Sequence, residues 1–308
     1  MSDQPVLSVV TPVFNTPAEY LTALADCLPA AIRGNPYEWI LVDDHSNDAQ
    51  TRAALETLAQ QSVVRSISNA AAKGAAGARN TGARNASGKY LLFVDADDLL
   101  QPGGIALLLQ AVQTNPAVRC VVAEFEQFDG APSENDIDPN LLDDAACAIR
   151  HQPDIARRLI FETLFNQGSY LVERELFFEL GGFDERFRIG EDWLLWMRLA
   201  VRQEIYHCRR LVMWQRRGHA SVMSGELVTT EAVVAPYLAA RQEPDFAGLK
   251  KPLRWRICKL YRVLAERNLD AGDRGRAIRF AGKAALWSIN DPAQWRNLLR
   301  VIVGRRRH

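Results

Sequence analysis

A repeating punctuation in the N-terminal third constrains this chain more than any other feature. Four short apolar runs, VLSVVTPV (residues 6–13), WILV (39–42), VVRSI (63–67) and YLLFV (90–94), are separated by stretches with helical patterning at 17–32, 49–61 and 75–86. Each run has strand length and β-branched content, and each intervening stretch is long enough to cross back over a sheet. Strands alternating with helices build βαβ units, so the expected fold is α/β with a mostly parallel sheet flanked by helices. Sheets of this kind bind ligands at the carboxyl ends of their strands. Three of the runs stop there in residues able to do chemistry: Phe14-Asn15, Asp43-Asp44, and the cluster Asp95, Asp97 and Asp98. Carboxylates this close raise one another's pKa unless a positive charge joins them. Either the cluster is solvated at a strand end or it holds a cation.

Further along, 102–115 reads as a helix, 118–126 as a strand, and the polar, acidic, breaker-rich stretch 129–153 as a mobile insertion or lid. Order resumes at Gly168–Glu173 and Leu176–Leu180, a turn follows at Gly181–Asp184, and Glu191–Val201 reads as a helix. From about Glu226 the pattern is wholly helical. Leu253–Asp270 and Arg274–Ser288, joined by Ala271-Gly272-Asp273, resemble one tetratricopeptide-type pair, too few for an array. The expected organisation is a catalytic domain over 1–225 and a basic helical region over 226–308.

At 308 residues and 48% hydrophobic composition, the chain can bury one large core or a core with an accessory unit. Basic and acidic residues balance at 37 each, yet from Lys250 onward sixteen Lys/Arg stand against four Asp/Glu. Such a tail can meet anionic lipid, nucleic acid or the acidic body of the chain, or serve as a solvated helical surface. Five scattered cysteines (Cys27, Cys120, Cys147, Cys208 and Cys258) form no CxxC pair, which argues against a disulfide framework or structural zinc and fits a reducing compartment. The N-terminus does not read as a signal peptide, and no run approaches the ~18 apolar residues of a membrane span. The expected location is the cytoplasm, including the inner face of the membrane as a peripheral protein.

Four motifs stand in order: SVVTPVFN, WILVDDHSND, GAAGARNTGARNASGKYLLFVDADD and LGGFDERFRIGEDWLLW. Together they resemble the inverting, nucleotide-sugar-dependent glycosyltransferases of family 2, over roughly residues 6–225. The resemblance implies the GT-A fold, a Rossmann-like sheet, here with a C-terminal all-helical region. It also implies transfer of a sugar from a nucleotide-diphosphate donor to a hydroxyl of a glycan or glycolipid, with a hexose or an N-acetylhexosamine as the group moved.

Under that resemblance Asp97 is a direct metal ligand, and Asp95 contacts ribose or metal. The cofactor is Mn2+ or Mg2+, hard ions that favour oxygen ligands and bridge carboxylates to phosphates. Asp98 caps the turn or supports the cluster. Asp43 and Asp44 match the acid pair that holds the nucleoside, Asp44 being preferred for the base, with Thr11, Pro12 and Phe14 lining the base pocket. Arg79, in GARN, matches the arginine that contacts base or diphosphate, and its planar fork suits either. Gly74 and Gly77 form neither a dinucleotide nor a Walker A fingerprint and read as a tight turn before the Ala-rich helix. Asp192 matches the general base, and Glu191 positions it or contacts an acceptor hydroxyl. Trp193 and Trp196 offer a platform for a sugar ring, although core packing explains Trp196 equally well.

One segment departs from the family pattern. Where relatives carry a Tyr-Arg-x-His-like stretch, this chain reads Trp214-Gln215-Arg216-Arg217-Gly218-His219. Either His219 reaches the metal through a shifted loop, or Arg216 and Arg217 neutralise the diphosphate. The expected partners are a UDP-sugar, because an acid pair suits a uracil edge, and a glycan or glycolipid acceptor. No nucleic acid is expected. The basic C-terminal helices can dimerise, lie on a membrane with Arg305-Arg306-Arg307, or buttress the catalytic domain. The reading from another class is a non-catalytic nucleotide-sugar-binding or scaffolding protein of a glycan-assembly complex. A nucleotidyltransferase lacks its Gly-rich N-terminal phosphate loop here, and a dehydrogenase lacks its fingerprint.

Overall fold

The computed structural model describes residues 4–129, 141, 149–151, 154–217, 229–288 and 292–303. His219, Cys147, Arg305–Arg307 and most of the expected insertion at 129–153 lie outside the described residues. The chain falls into two compact units. The first comprises Met1–Ile155, Thr163–Glu185 and Arg202–His219; the second comprises Ala156–Glu162, Arg186–Val201 and Ala220–His308.

The first unit opens with the expected alternation: β1 (Leu7–Val13), α1 (Ala18–Ile32), β2 (Tyr37–Asp43), α2 (Ala49–Leu58), β3 (Val64–Ser68), α3 (Ala75–Asn85) and β4 (Tyr90–Phe93). These strands pair in parallel in the order β3-β2-β1-β4. Beyond β4 the sheet becomes mixed. It gains a short β5 (Leu99–Leu100), α4 (Gly104–Thr114), β6 (Cys120–Phe128), β7 (Ile149–His151), β8 (Tyr170–Glu173), α6 (Arg174–Glu179) after the short helix α5 (Ile155–Leu159), and β9 (Tyr206–Arg216). The full order is β3-β2-β1-β4-β8-β6-β9-β5 with β7 on β9, one sheet of nine strands among the described residues. β8 runs antiparallel to both β4 and β6, whereas β6 and β9 are parallel.

Local chemistry explains several boundaries. Asp48 caps α2 by accepting the Thr51 backbone N–H at 2.7 Å, as the polar stretch before that helix anticipates. α3 is buried from Ala76 to Ala83 because small residues let it lie flat on β1 and β2. A Cβ at Gly82 would fall 2.3 Å from Val10 Cγ1, and one at Gly77 1.8 Å from the Ala72 carbonyl oxygen. The Ala/Gly richness of this helix is therefore a packing requirement. Leu7, Val9, Trp39, Leu41, Leu92 and Leu107 contribute to a continuous apolar core within this unit.

The second unit contains α7 (Glu191–Arg202), α8 (Ala235–Gln242), α9 (Lys250–Asp270), α10 (Arg274–Trp287) and α11 (Pro292–Val303). α9 and α10 form the expected hairpin, with Asp273 capping α10 by accepting the Arg276 N–H at 2.9 Å. Ile257, Tyr261, Leu264, Phe280 and Ala284 build a separate core between them. No helix among the described residues is long and apolar enough to cross a membrane.

At the start of the parallel strands, Glu38 accepts hydrogen bonds from the Ser8 hydroxyl at 2.7 Å, and from the Ser87 amide and hydroxyl at 2.6 and 2.7 Å. Arg65 lies 3.3 Å away. Burial pushes this carboxyl up, but the two serines and Arg65 outweigh burial and hold it below its ordinary value. A depressed folded-state pKa gives stability that is present above the unfolded value of ~4.3 and lost as pH falls through the folded one. Glu38→Gln should therefore be less stable than wild type by about 1–2 kcal/mol near neutrality, with the gap closing below pH ~4. Urea unfolding at the two pH values measures this; a gap that does not change with pH would show that the charge is not what Ser8 and Ser87 require.

Candidate active site

β1, β2 and β4 are parallel neighbours, with Val13 opposite Asp43 and Val10 opposite Phe93, so the residues following them emerge at one edge of the sheet. Thr11 is fully buried in β1, and its hydroxyl accepts the Trp39 Nε1–H at 3.0 Å. Its polar atom thus serves the sheet interior. Pro12 is half-buried. Phe14 is 48% exposed, with the Lys73 ammonium 4.5 Å from its ring centre. Asn15, in the left-handed region at φ 47°, accepts the amides of Asn47 and Asp48 at 2.9 and 3.0 Å and ties the end of β1 to the loop after β2.

Within that loop Asp43 accepts the Ser46 amide at 2.9 Å. Asp44 is buried, with Oδ1 accepting from Asn69 Nδ2 at 2.6 Å and Oδ2 accepting from the Gly74 amide at 2.8 Å. Each carboxylate oxygen keeps a second lone pair, so Asp44 can still accept from a base edge. Asn69 is the residue that the sequence reading missed. Its Oδ1 accepts from the Thr81 hydroxyl and the Ala71 amide, both at 2.9 Å, so it holds the whole 69–74 loop. It directly follows β3, the one strand whose polar stop was not read as part of the site. Gly74 sits at φ 126°, which a side chain would strain.

Arg79 projects from α3 to the end of β4. It is 4% exposed, and its Nη2 lies 2.6 Å from Asp95 Oδ1, with the guanidinium 5.4 Å from the centre of the Phe183 ring. Asp95 and Asp97 are partly exposed, whereas Asp98 is buried. The Asp98 amide donates to the Asp95 carbonyl at 3.2 Å and closes the turn, and its Oδ1 accepts the Arg216 amide at 3.0 Å. Burial and the charges of Asp95 and Asp97 push the Asp98 carboxyl well above the usual range. Its Oδ2 has no hydrogen-bond partner among the described residues. A cluster of carboxylate oxygens at a strand end fits a hard divalent cation, with Asp95 and Asp97 its partly exposed members.

The two arginines of the divergent segment separate. Arg216 Nε donates to the Asp97 carbonyl at 3.0 Å, and its guanidinium lies 4.5 and 4.8 Å from the ring centres of Tyr20 and Phe128. Arg217 instead uses its guanidinium on Gln127 Oε1 at the end of β6. The structure therefore brings Arg216 to the aspartate turn and leaves Arg217 on the sheet edge.

α7, in the second unit, carries the remaining candidates. Asp192 Oδ1 accepts the Trp193 amide at 2.6 Å in the first turn, and Glu191 is buried. Trp193 stacks on Tyr237 at 3.9 Å between ring centres and donates to the Leu159 carbonyl at 2.8 Å. Trp193 and Trp196 are 8% and 3% exposed, so both indoles are spent on packing and present no open face to a sugar. Their 3-residue spacing on one face of a helix suits a core stripe as well as a platform, and packing is the role found.

With this edge described, comparison with known proteins decides the family. The model for glycosyl transferase family 2 matches residues 8–168. The chain belongs to that family. An uncharacterized glycosyltransferase of Haemophilus influenzae is 28% identical over 198 residues, covering 63% of this chain and 62% of that protein. The O-antigen biosynthesis protein RfbC of Myxococcus xanthus is 26% identical over 268 residues, covering 83% of this chain but only 20% of that protein. The chain thus spans less than two thirds of the length of these curated relatives. Among solved structures, S. aureus TarS residues 1–349 in complex with UDP-GlcNAc superposes with a TM-score of 0.62 at 17% identity, covering 91% of this chain and 81% of that one. At that identity the likeness establishes the GT-A fold. The matched region includes the strand-end edge that carries Thr11 to Asp98.

Arg216 joins β9 to the aspartate turn through two aromatic rings and a carbonyl. Arg216→Ala should lower stability by about 2 kcal/mol, and Arg216→Lys by roughly half as much, because lysine keeps the charge but not the planar stack. Urea unfolding of the three proteins measures this; equal stability would mean that the aspartate turn is held without Arg216.

Proposed function

We propose that the protein transfers a sugar from a UDP-sugar to a hydroxyl of a glycan or glycolipid in a single inverting displacement. The observation that carries the reading is the convergence of Asp44, Arg79, Asp95 and Asp97 on one edge, with Arg79 2.6 Å from Asp95 and Asp97 partly exposed beside them. A uracil edge presents an N–H donor that suits Asp44, and Phe14 supplies an exposed ring beside it. The name of an E. coli relative, UDP-Glc:alpha-D-GlcNAc-diphosphoundecaprenol beta-1,3-glucosyltransferase WfgD, 32% identical over 97 residues, supports a UDP donor, as do the TarS structures with UDP and UDP-GlcNAc.

Mn2+ or Mg2+ supplies charge neutralisation for the departing diphosphate. Asp97 and Asp95 would hold it, while among the described residues no group of three such side chains is disposed to hold an ion. Arg79 orients Asp95 and adds positive charge toward the diphosphate. Asp192 takes the acceptor hydroxyl proton as the new bond to the anomeric carbon forms and the bond to the diphosphate oxygen breaks. Glu191 supports Asp192. The region 1–225 is assigned to catalysis and 226–308 to an appended helical region.

A thermal-shift panel of UDP, GDP, dTDP and CDP, each with and without manganese, tests the donor half. At ~100 times its dissociation constant a ligand adds ~2.7 kcal/mol of stability. The expected result is a manganese-dependent shift with UDP that Asp97→Ala abolishes. No shift with any nucleotide in folded protein would return the scaffolding reading. Asp192→Asn is expected to keep the nucleotide shift while turnover with a glycan acceptor falls ~10²–10⁴-fold; turnover near the wild-type rate would remove Asp192 as the base.

A further inference from the structure

The helical unit contains a cavity of about 370 Å³ lined by Arg241, Arg254, Leu286 and Trp287. No part of the glycosyl-transfer reading uses it. Arg241, in the last turn of α8, places its guanidinium 5.1 Å from the centre of the Trp287 ring. Its Nε is buried without a hydrogen-bond partner among the described residues. Arg254, in the first turns of α9, donates from Nε to the Trp287 carbonyl at 2.6 Å. Two guanidiniums thus share one cavity, and its lining includes no carboxylate among the described residues.

Leu286 in the lining is 66% exposed, and Trp255, which follows Arg254 in α9, is 57% exposed. The Lys259 ammonium lies 5.4 Å from the centre of the Trp255 ring, one helical turn on, and Phe161 packs edge-on against the same indole at 5.2 Å. A half-buried Arg241 beside an exposed Arg254 suits an anion, while an exposed leucine in the lining and an exposed tryptophan next to Arg254 in the chain suit an apolar phase. Tryptophan and arginine together are characteristic of the membrane–water interface. The sequence adds charge complementarity, sixteen basic residues against four acidic ones from Lys250 onward.

We propose that this surface docks on an anionic phospholipid bilayer, with the Arg241–Arg254 cavity taking a head-group phosphate and Trp255 and Leu286 entering the acyl boundary. This goes beyond the glycosyl-transfer reading and does not depend on it.

Co-sedimentation of the full chain with sucrose-loaded vesicles tests it, with neither donor nor acceptor present. One set is phosphatidylcholine alone; the other contains phosphatidylglycerol as a minority component. The expected result is binding to the anionic vesicles tighter by about tenfold or more, weakening as salt screens the surface. Arg241→Gln with Arg254→Gln should remove that preference. Leu286→Ser, on an exposed side chain that carries no fold burden, should weaken binding a few-fold and keep the charge preference. Because Arg254 also holds the end of α10, circular dichroism of the double variant accompanies the assay, and Leu286→Ser gives the independent arm. Equal binding to both vesicles, binding to neither, or wild-type behaviour of both variants would overturn the proposal. So would protection of Trp287 fluorescence by inorganic phosphate in a protein that ignores vesicles, which would make the cavity a soluble-phosphate site.

Discussion

The carboxylates of residues 95–98 impose the constraint around which the strand-end edge is built. Crowded anions cost free energy unless cations or solvent offset them, and the fold answers each of the three differently. Asp95 faces a nearly buried arginine at 2.6 Å. Asp98 is driven toward its neutral form by burial and by its two neighbours. Asp97 lends its backbone carbonyl to Arg216 and keeps its side chain partly exposed. The result is asymmetric: one acid faces an arginine, one is suppressed, and one is partly exposed.

That arrangement depends on a helix able to bring an arginine under the sheet edge. α3 is buried over eight consecutive residues, which is only feasible when the side chains facing the strands are small. Gly82 against Val10 and Gly77 against the Ala72 carbonyl set the approach distance, and Arg79 stands between them in sequence. A larger residue at Gly82 would lift the helix from the sheet, and one at Gly77 would displace the 69–74 loop. Packing and electrostatics are therefore one requirement at this point of the chain.

Strand identity and the acidic ends of β2 and β4 were legible because both follow from local pattern: β-branched runs, helical periods and abrupt polar stops. β9 was not. Its eleven residues place Arg209 and Arg210 in the middle of the run, which hides the alternation of a strand. The insertion of β8 between β4 and β6 was invisible for another reason, since partner order is decided by long-range pairing that no local window encodes. The same division runs through the site. Asp44, Arg79 and Asp95 announce themselves by residue type and motif, whereas Asn69 acts through a bond to a residue 25 positions away. Tyr20 acts through a stack on Arg216. Trp193 and Trp196 show the converse, residues whose type suggested a ligand contact but whose burial assigns them to packing.

The 69–74 loop draws these threads together. On one side Asp44 and Asn69 fix it to the ends of β2 and β3. On the other, Glu185 accepts the Ala72 amide at 3.1 Å and the Asn80 side-chain amide at 2.8 Å, and Asn80 in turn exchanges hydrogen bonds with both backbone groups of Phe183. Phe183 also stacks beneath Arg79 and packs edge-on against Phe93, the last residue of β4. The turn Gly181–Glu185 is thereby bound to the same three features that define the strand-end edge: the loop, the buried arginine and the strand that delivers the aspartates. Gly182 makes this closeness possible, for a Cβ there would lie 2.8 Å from Asn80 Oδ1 in a backbone already at φ 67°. A sequence segment more than a hundred residues downstream of the loop is thus an integral wall of the strand-end edge, and the chain leaves this unit immediately after Glu185.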